Sequence, residues 1–204
     1  EVELTARFSK DGKAIKGAEI VVSTPETELQ EPGISRLRTD DSGKAHLSIT
    51  PDKQGSYLFR FAHSDSGQME KVYMDAVDEK TYATFADLAG RVKLQFPAHF
   101  LFLGDSLTDM QRGQNYVDKL RHWLGSQTGG KVTFKNAAVG GDDITRITRR
   151  MDGNMSQYEQ NKYPQWQGLF DPAPDWVFIF VGHNDSKLLG ASDWKESKVP
   201  PELF

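Results

Sequence analysis

The sequence predicts two parts of different fold class, an N-terminal antiparallel β-sandwich and an α/β part built on a parallel sheet. Short segments within residues 1–77 alternate apolar and polar side chains, which is the period of strands with one solvated face. From about residue 78, apolar residues recur at helical spacing, and three strongly apolar segments then alternate with helical patterns. We therefore expect a sandwich over 1–77, a connecting helix and linker over 78–94, and the α/β part over 95–204.

The N-terminal part reads as strands separated by turns. An Asp-Gly pair at 11–12 suits a tight hairpin. The predicted strands are VELTARFS (2–9), AEIVVST (18–24), SRLRTD (35–40), KAHLSIT (44–50), SYLFRFAH (56–63) and MEKVYMDAV (69–77). The turn glycines and alternation in GKAIKGAEIVV, TDDSGKAHLSI and GSYLF resemble the prealbumin-like, or carboxypeptidase regulatory-like, modules that are appended to secreted enzymes. No cluster of titratable residues marks a site in this part.

The second part begins with a helical pattern, TYATFADLAGRV (81–92). The three apolar segments HFLFL (99–103), KVTFKNAAV (131–139) and WVFIFV (176–181) follow, and each predicts a strand buried on both faces. NYVDKLRHWLGSQ (115–127) separates the first two strands and places Tyr116, Val117, Leu120, Trp123 and Leu124 on one helical face. ITRITRRM (144–151) predicts a further helix.

Composition and charge exclude several classes of site and partner. The 204 residues contain no cysteine, which excludes disulfides, thiolate metal sites and cysteine nucleophiles. A formal net charge of −4 gives no reason to expect nucleic acid as a partner. No apolar run reaches the ~18–20 residues of a membrane span. The first residues show a strand pattern rather than the charged and then apolar pattern of a signal peptide. We expect a secreted or periplasmic protein from which any signal peptide has been removed.

Each apolar strand is followed by a polar loop. The loops are Gly104-Asp105-Ser106-Leu107, Gly140-Gly141-Asp142-Asp143 and Gly182-His183-Asn184-Asp185. Parallel strands bring such loops to one edge of the sheet. That edge would hold the Ser106 hydroxyl as a nucleophile, with the N–H groups of Ser106 and Gly141 and the side-chain amide of Asn184 as hydrogen-bond donors. Acyl transfer from an ester requires this combination, because the donors stabilise the negative charge that develops on the carbonyl oxygen.

These three loops resemble the first three sequence blocks of the SGNH hydrolases, also called GDSL esterases and lipases. GDSL at 104–107, NAAVGGD at 136–142 and GHND at 182–185 match the blocks in order and spacing. The resemblance implies a three-layer, flavodoxin-like α/β fold over residues 95–204. It also implies ester hydrolysis through a Ser106 acyl-enzyme, with Gly141 and Asn184 in the oxyanion hole and with no metal or cofactor.

The resemblance lacks one element, the D-x-x-H motif that supplies the catalytic histidine and its aspartate in this family. The five histidines are His46, His63, His99, His122 and His183, and none closes such a motif. The α/β part also has about three strands where the family has about five. We therefore expect the front portion of a catalytic domain, inactive alone, with the base on a complementary C-terminal segment.

Other roles remain open for the individual loop residues. Ser106 could simply cap the next helix, and Asn184 could form an Asx-turn. Asp142 or Asp143 is expected to cap residues 144–151. Asp105, Asp185 and His183 are predicted to support the site. His183 could replace the missing base, but adjacent residues near a strand end point to opposite sides, so we expect it to face away if Asn184 faces the site.

The remaining features leave room for a different function. Arg146, Arg149 and Arg150 are expected to form a solvated helix face, and Tyr158, Tyr163 and Trp166 are expected to pack rather than to stack on sugar rings.

Histidine before the asparagine also occurs in SGNH subgroups that act on acetylated plant polysaccharides, which makes O-acetylated saccharides the first expected substrates. The alternative is a non-catalytic binding or adhesion protein with a degenerate SGNH remnant. Phosphate binding by the VGGDD turn is disfavoured because two aspartates would repel the anion.

Overall fold

The structure is a computed structural model that describes residues 1–27, 29–111 and 113–203, apart from the side chains at 126 and 127. The chain forms two compact units. The first consists of Glu1–Ala83 with the short stretch Gln111–Gln114, and the second consists of Thr84–Met110 and the chain from Asn115 onward. Among the described residues, no helix has both the length and the apolar character needed to cross a bilayer.

The first unit contains antiparallel sheets, as the alternating pattern predicts. Its strands are β1 (Val2–Arg7), β2 (Ser9–Lys10), β3 (Lys13–Ala14), β4 (Glu19–Thr24), β5 (Gly33–Arg38), β6 (Lys44–Ile49), β7 (Gly55–His63) and β8 (Met69–Ala76). A four-stranded sheet has the order β5-β4-β7-β8, while β1 pairs with β6 and β2 pairs with β3. Alternate residues of β4 and β7, such as Val22 and Phe59, pack in one core with Ala45 of β6 and the half-buried Leu4 of β1.

The second unit contains a three-stranded parallel sheet of order β10-β9-β11. Its strands are β9 (Ala98–Gly104), β10 (Val132–Asn136) and β11 (Trp176–Phe180). The helices are α1 (Glu79–Gly90), which crosses the boundary between the units, α2 (Ser106–Asp109), α3 (Tyr116–Gln127), α4 (Ile144–Met151) and α5 (Gln157–Lys162). Short 3₁₀ turns occupy Pro164–Trp166, Gly190–Ser192 and Pro201–Leu203. The prediction of a parallel sheet in this part is confirmed.

The central strand β9 is buried on both faces. Leu101 and Leu103 pack against Ile147 of α4 on one face. Phe100 and Phe102 pack against Val117 of α3 on the other face. Successive side chains of a strand point to opposite faces, so this continuous apolar run fits a strand between two helical layers. The rigid position of β9 fixes where the chain emerges after Gly104.

Strand β11 differs from the expectation of burial on both faces. All five of its side chains, Trp176 to Phe180, are between 39% and 53% exposed. Like β10, β11 lies at an edge of the sheet and pairs with β9 on one side only, but none of its side chains belongs to the buried clusters of this unit, one of which contains Val132 of β10. The physical reason is therefore the lack of packing cover on the faces of β11. Helix α1 likewise has no buried residue, so its apolar stripe (Phe85, Leu88) is half exposed.

Gly104 is required by the close approach of neighbouring atoms. A Cβ placed on this residue would lie 2.8 Å from the carbonyl oxygen of Phe180 and 2.5 Å from Thr108 Oγ1. The backbone carbonyl cannot move without disturbing the register of β11 against β9. Glycine therefore allows the end of β11 and the start of α2 to close on the end of β9.

We expect Gly104→Ala to destabilise the second unit by about 1–3 kcal/mol, the usual cost of overpacking a well-packed site. The matched control is Gly125→Ala, within α3, where a Cβ would meet no atom within 4 Å. That change should stabilise the protein by about 0.5–1 kcal/mol because alanine favours helix. Urea unfolding of both variants measures the difference, and equal midpoints would contradict the packing argument.

Candidate functional site

Ser106 lies where the buried strand β9 emerges from the sheet. Asp105 is fully buried and caps α2, since its Oδ1 accepts a hydrogen bond of 2.9 Å from the backbone N–H of Leu107. Ser106 is therefore the first residue of a four-residue helix that begins directly after the strand and its cap. This strand-turn-helix geometry presents a half-buried hydroxyl at the edge of the sheet.

The second loop packs directly against Ser106. Strand β10 ends at Asn136, earlier than the sequence predicts, but the chain continues beside β9 because Val139 N–H donates to the Gly104 carbonyl at 3.0 Å. Gly140 N–H then donates to Asp109 Oδ2 at 2.9 Å. A Cβ placed on Gly140 would lie only 3.9 Å from Ser106 Cβ. Two of the three predicted loops thus meet at the serine.

Gly141 has a backbone conformation that favours glycine. Its φ of +84° lies in the left-handed region, where a side chain would strain the backbone. The next residue, Asp142, donates its N–H to the Val139 carbonyl at 3.1 Å, which closes the turn.

The third loop brings a buried amide to the same place. Asn184 is 3% exposed. Its Nδ2 donates to the Asp142 carbonyl at 2.8 Å and to Asp105 Oδ2 at 3.3 Å, and its Oδ1 accepts from Lys187 Nζ at 2.6 Å. This one side chain therefore connects all three loops that the sequence places at the sheet edge.

Asp185 joins the third loop to helix α4. It is buried, and its Oδ1 accepts from the Ile144 N–H at 2.8 Å while its Oδ2 accepts from the Gly182 N–H at 3.1 Å. Ile144 is the first residue of α4, so the carboxylate satisfies one of the N–H groups that a helix start leaves unpaired. Asp185 therefore fixes the position of the third loop relative to the end of the second loop, where α4 begins.

Asp143, rather than Asp142, is the cap of α4. Its Oδ1 accepts from the Arg146 N–H at 2.9 Å, and Lys198 Nζ lies 2.7 Å from its Oδ2. Burial by itself would raise the pKa of Asp143, but the hydrogen bonds from Lys198, Thr145 and the Arg146 backbone outweigh it and lower the pKa to about 2. The capping carboxylate is therefore charged over the whole physiological pH range.

Asp142 forms a buried ion pair with Arg150, which corrects the expectation of a solvated arginine face. Asp142 is fully buried and Arg150 is 5% exposed, and the guanidinium lies beside the rings of Tyr163 and Trp166 at 4.9 and 5.3 Å. Burial raises the pKa of Asp142, against the opposing effect of the Arg150 hydrogen bond and charge. The helical spacing contained a signal for this, because Arg150 follows the buried Ile147 by three residues.

The other polar and aromatic residues of this region have structural partners. Arg149 pairs with Glu159, and that hydrogen bond is the main cause that lowers the pKa of Glu159 to about 2. Trp166 is buried in the core next to Leu103, whereas Tyr158 is 68% exposed and lies near Lys162. Two of the three aromatic residues thus pack around Arg150, and only Tyr158 presents its ring to solvent.

Two predicted oxyanion donors have no partner within the described parts of the chain. Neither the Ser106 N–H nor the Gly141 N–H donates a hydrogen bond to any described residue. The Ser106 hydroxyl likewise has no partner among those residues. By contrast, the neighbouring N–H groups of Leu107 and Gly140 are bonded to Asp105 and Asp109. At this edge of the sheet, one hydroxyl and two backbone N–H groups thus lack a hydrogen-bond partner among the described residues.

No histidine of the second unit hydrogen-bonds Ser106 in the portion of the chain that the structure describes. His183 is exposed while its neighbour Asn184 is buried, and both lie in the turn that follows β11 rather than within the strand. The ring of His99, at the opposite end of β9, pairs with Thr133 Oγ1 at 2.7 Å. Among the described residues, His, Asp and Glu side chains form no group of three suited to hold a metal ion.

Lys187 and Lys198 contact the predicted site residues, and sequence reasoning missed both. They lie beyond the third loop in a segment of mixed polarity with no strand or helix period, so the sequence carried no signal for their contacts with Asn184 and Asp143.

Comparison with known families gives one match. Residues 102–199 match the model of the GDSL-like Lipase/Acylhydrolase family, a span just under half of the chain that contains all three loops. The match supports the resemblance to the SGNH hydrolases for this part of the chain. It does not extend to the N-terminal β unit. No curated protein sequence matches the chain.

We expect Arg150→Met to destabilise the second unit by about 3–5 kcal/mol, because it leaves the Asp142 carboxylate buried without its partner. The matched control is Arg146→Met on the same helix, where the arginine side chain is half exposed and its ion-pair distance to Asp143 is 3.7 Å. That variant should change stability by less than about 1 kcal/mol. Urea unfolding measures both, and a small loss for Arg150→Met would mean that the buried pair contributes little.

Proposed function

We propose that this chain supplies the nucleophile and the oxyanion hole of a serine esterase of the SGNH type. Ser106 Oγ attacks the carbonyl carbon of an acyl ester, and its proton passes to a histidine base. The carbonyl oxygen becomes an anion, which accepts hydrogen bonds from Ser106 N–H, Gly141 N–H and Asn184 Nδ2. The bond to the alcohol then breaks, the alcohol leaves with the proton, and water hydrolyses the acyl-serine to release the acid.

The observation that carries this proposal is the set of available groups around Ser106. The hydroxyl, its own N–H and the Gly141 N–H have no partner among the residues that the structure describes, although their neighbours are bonded. Donors that are fixed by the fold and unoccupied in the ground state are what an oxyanion hole requires. The match of residues 102–199 to an acylhydrolase family supports the same chemistry.

Asn184 contributes the third donor by exchanging one partner. Its Nδ2 makes a good hydrogen bond of 2.8 Å to the Asp142 carbonyl and a longer one of 3.3 Å to Asp105 Oδ2. The longer contact is the weaker one. We therefore propose that a small shift of the whole planar amide exchanges the long contact with Asp105 for one with the substrate oxyanion, and that the bond to the Asp142 carbonyl limits this shift.

The histidine base comes, in this proposal, from a complementary segment that carries D-x-x-H. No D-x-x-H occurs in the 204 residues. Strand β11 offers a place for the segment, because its five apolar side chains are half exposed and only one of its edges is paired. Native proteins avoid bare apolar strands of this kind. A further parallel strand would pair with the open edge of β11, and the crossover helix that such a strand requires would cover its exposed side chains.

The substrate and setting of the reaction are proposed from the resemblances alone. GHND at 182–185 favours small acyl esters and, first among them, O-acetylated saccharides. We propose that the antiparallel sheets of the first unit form a prealbumin-like β-sandwich with an accessory role and that the protein acts in a secreted or periplasmic location. No nucleic acid, metal or cofactor takes part.

Reaction with a fluorophosphonate tests the nucleophile. We expect protein isolated from its natural source to gain one adduct, seen in the intact mass spectrum, and Ser106→Ala to abolish it, because only an activated serine attacks the phosphorus centre. Residues 1–204 alone should react much more slowly. The matched control, Ser42→Ala in the first unit, should label normally. Absence of a Ser106 adduct in the natural protein would reject the esterase and favour the binding or adhesion alternative.

Substitution of Asn184 tests the oxyanion hole. We expect Asn184→Ala to lower kcat for an aryl acetate by about 10²–10³, the usual loss for one such donor, with little change in KM. Asn154→Ala provides a matched control, since Asn154 is exposed and lies outside the three loops. A steady-state assay measures both variants. A rise in KM at constant kcat would instead indicate that Asn184 binds ground-state substrate.

A further inference from the structure

The segment from 187 to 199 folds back onto the loops that carry Asn184 and Asp143. Leu188 and Ser197 form an antiparallel bridge, and Lys198 N–H donates to the Lys187 carbonyl at 2.7 Å. Val199 N–H donates to the Asp185 carbonyl at 3.2 Å, which ties the end of the segment to the third loop. Both lysines point their ammonium groups at residues of the candidate site.

Lys187 determines which way the Asn184 amide faces. A side-chain amide presents an oxygen on one side and a nitrogen on the other, and a half-turn exchanges them. An ammonium group is only a donor, so its 2.6 Å contact requires the amide oxygen at that position. The nitrogen must then face the Asp142 carbonyl and Asp105, which are both acceptors.

The contact has a second consequence for the strength of the donor. A positive charge at the amide oxygen draws electron density from the nitrogen, so the N–H groups become better donors. Asn184 is buried while Lys187 is an exposed residue, so solvent screens this polarisation in part, though less than it would between two exposed groups. Lys187 therefore both orients the amide and strengthens the hydrogen bond that it offers.

We propose that Lys187 is a positioning residue for the oxyanion hole and that it acts through the side-chain amide of Asn184. This inference rests on the proposed function of Asn184 and adds a residue from outside the three loops. The backbone pairing between 187 and 198 holds the lysine in place, and the ion pair of Lys198 with Asp143 fixes the far end of the segment to the start of α4.

An NMR experiment on residues 1–204 tests the orientation without reference to activity. The readout is the pair of side-chain ¹⁵N–¹H₂ resonances of Asn184, assigned by their loss in Asn184→Ala. We expect Lys187→Met to shift them and to speed their exchange with solvent, and Lys187→Arg to preserve them because a donor remains. Lys195→Met is the matched control: its exposed ammonium lies 3.4 Å from Asp193 at the surface of the same segment. Unchanged resonances in Lys187→Met, or equal changes in Lys195→Met, would overturn the proposal.

A double-mutant cycle on the natural protein tests the catalytic consequence. We expect Lys187→Met to lower kcat for an aryl acetate about tenfold in the wild-type background, a part of the loss for a whole donor, with KM nearly constant. In the Asn184→Ala background the same change should have almost no effect, because the group through which Lys187 acts is absent. An equal loss in both backgrounds would show that Lys187 acts independently of Asn184 and would overturn the proposal.

The two experiments separate the inference from the function on which it rests. Hydrolysis that survives Ser106→Ala would reject the proposed esterase, while the Asn184 resonances would still decide whether Lys187 orients the amide. Ser106-dependent hydrolysis that is unaffected by Lys187→Met would reject the inference and leave the esterase in place.

Discussion

The side-chain amide of Asn184 is the contact on which the geometry of the sheet edge depends. Its nitrogen donates to Asp105 of the first loop and to the Asp142 carbonyl of the second, and its oxygen accepts from Lys187 of the following segment. Parallel strands bring three loops to one edge, but pairing within the sheet does not set the distances between loop ends. A buried amide with two donors and an acceptor can do so, because each bond has a defined direction and breaking any of them leaves a buried polar atom unpaired.

The loops around this amide contain four buried carboxylates, an arrangement that is costly unless each is compensated. Asp105 and Asp185 are compensated mainly by backbone N–H groups at helix starts and turns. Asp142 and Asp143 instead use cations, Arg150 and Lys198. The first kind of partner fixes the backbone locally, and the second joins elements that are distant in sequence. Together they hold the backbone on either side of Gly141, whose N–H has no partner in the described part of the chain.

The sequence was sufficient to predict those elements whose burial follows from the period of their own apolar residues. Strand β9 is an example, because apolar side chains on both faces require cover on both faces. The pattern also located the polar loops, since each directly follows an apolar strand. It was wrong for Arg150, where charge was taken to mean exposure although the spacing from Ile147 placed the residue on the inner face. Lys187 and Lys198 could not be found, because their contacts depend on a fold-back of the chain that no local period encodes.

Strand β11 links the exposed edge of the sheet to the proposed chemistry. In a parallel sheet every strand runs to the same edge, so a strand added beside β11 would end on the side where Ser106, Gly141 and Asn184 lie. Burial of the half-exposed apolar side chains of β11 by the added strand and its crossover helix would provide free energy for the addition, at roughly 25 cal/mol for each Å² of apolar surface removed from water. Burial of that edge and delivery of a base to the nucleophile are thus, in the proposed enzyme, consequences of the same strand addition.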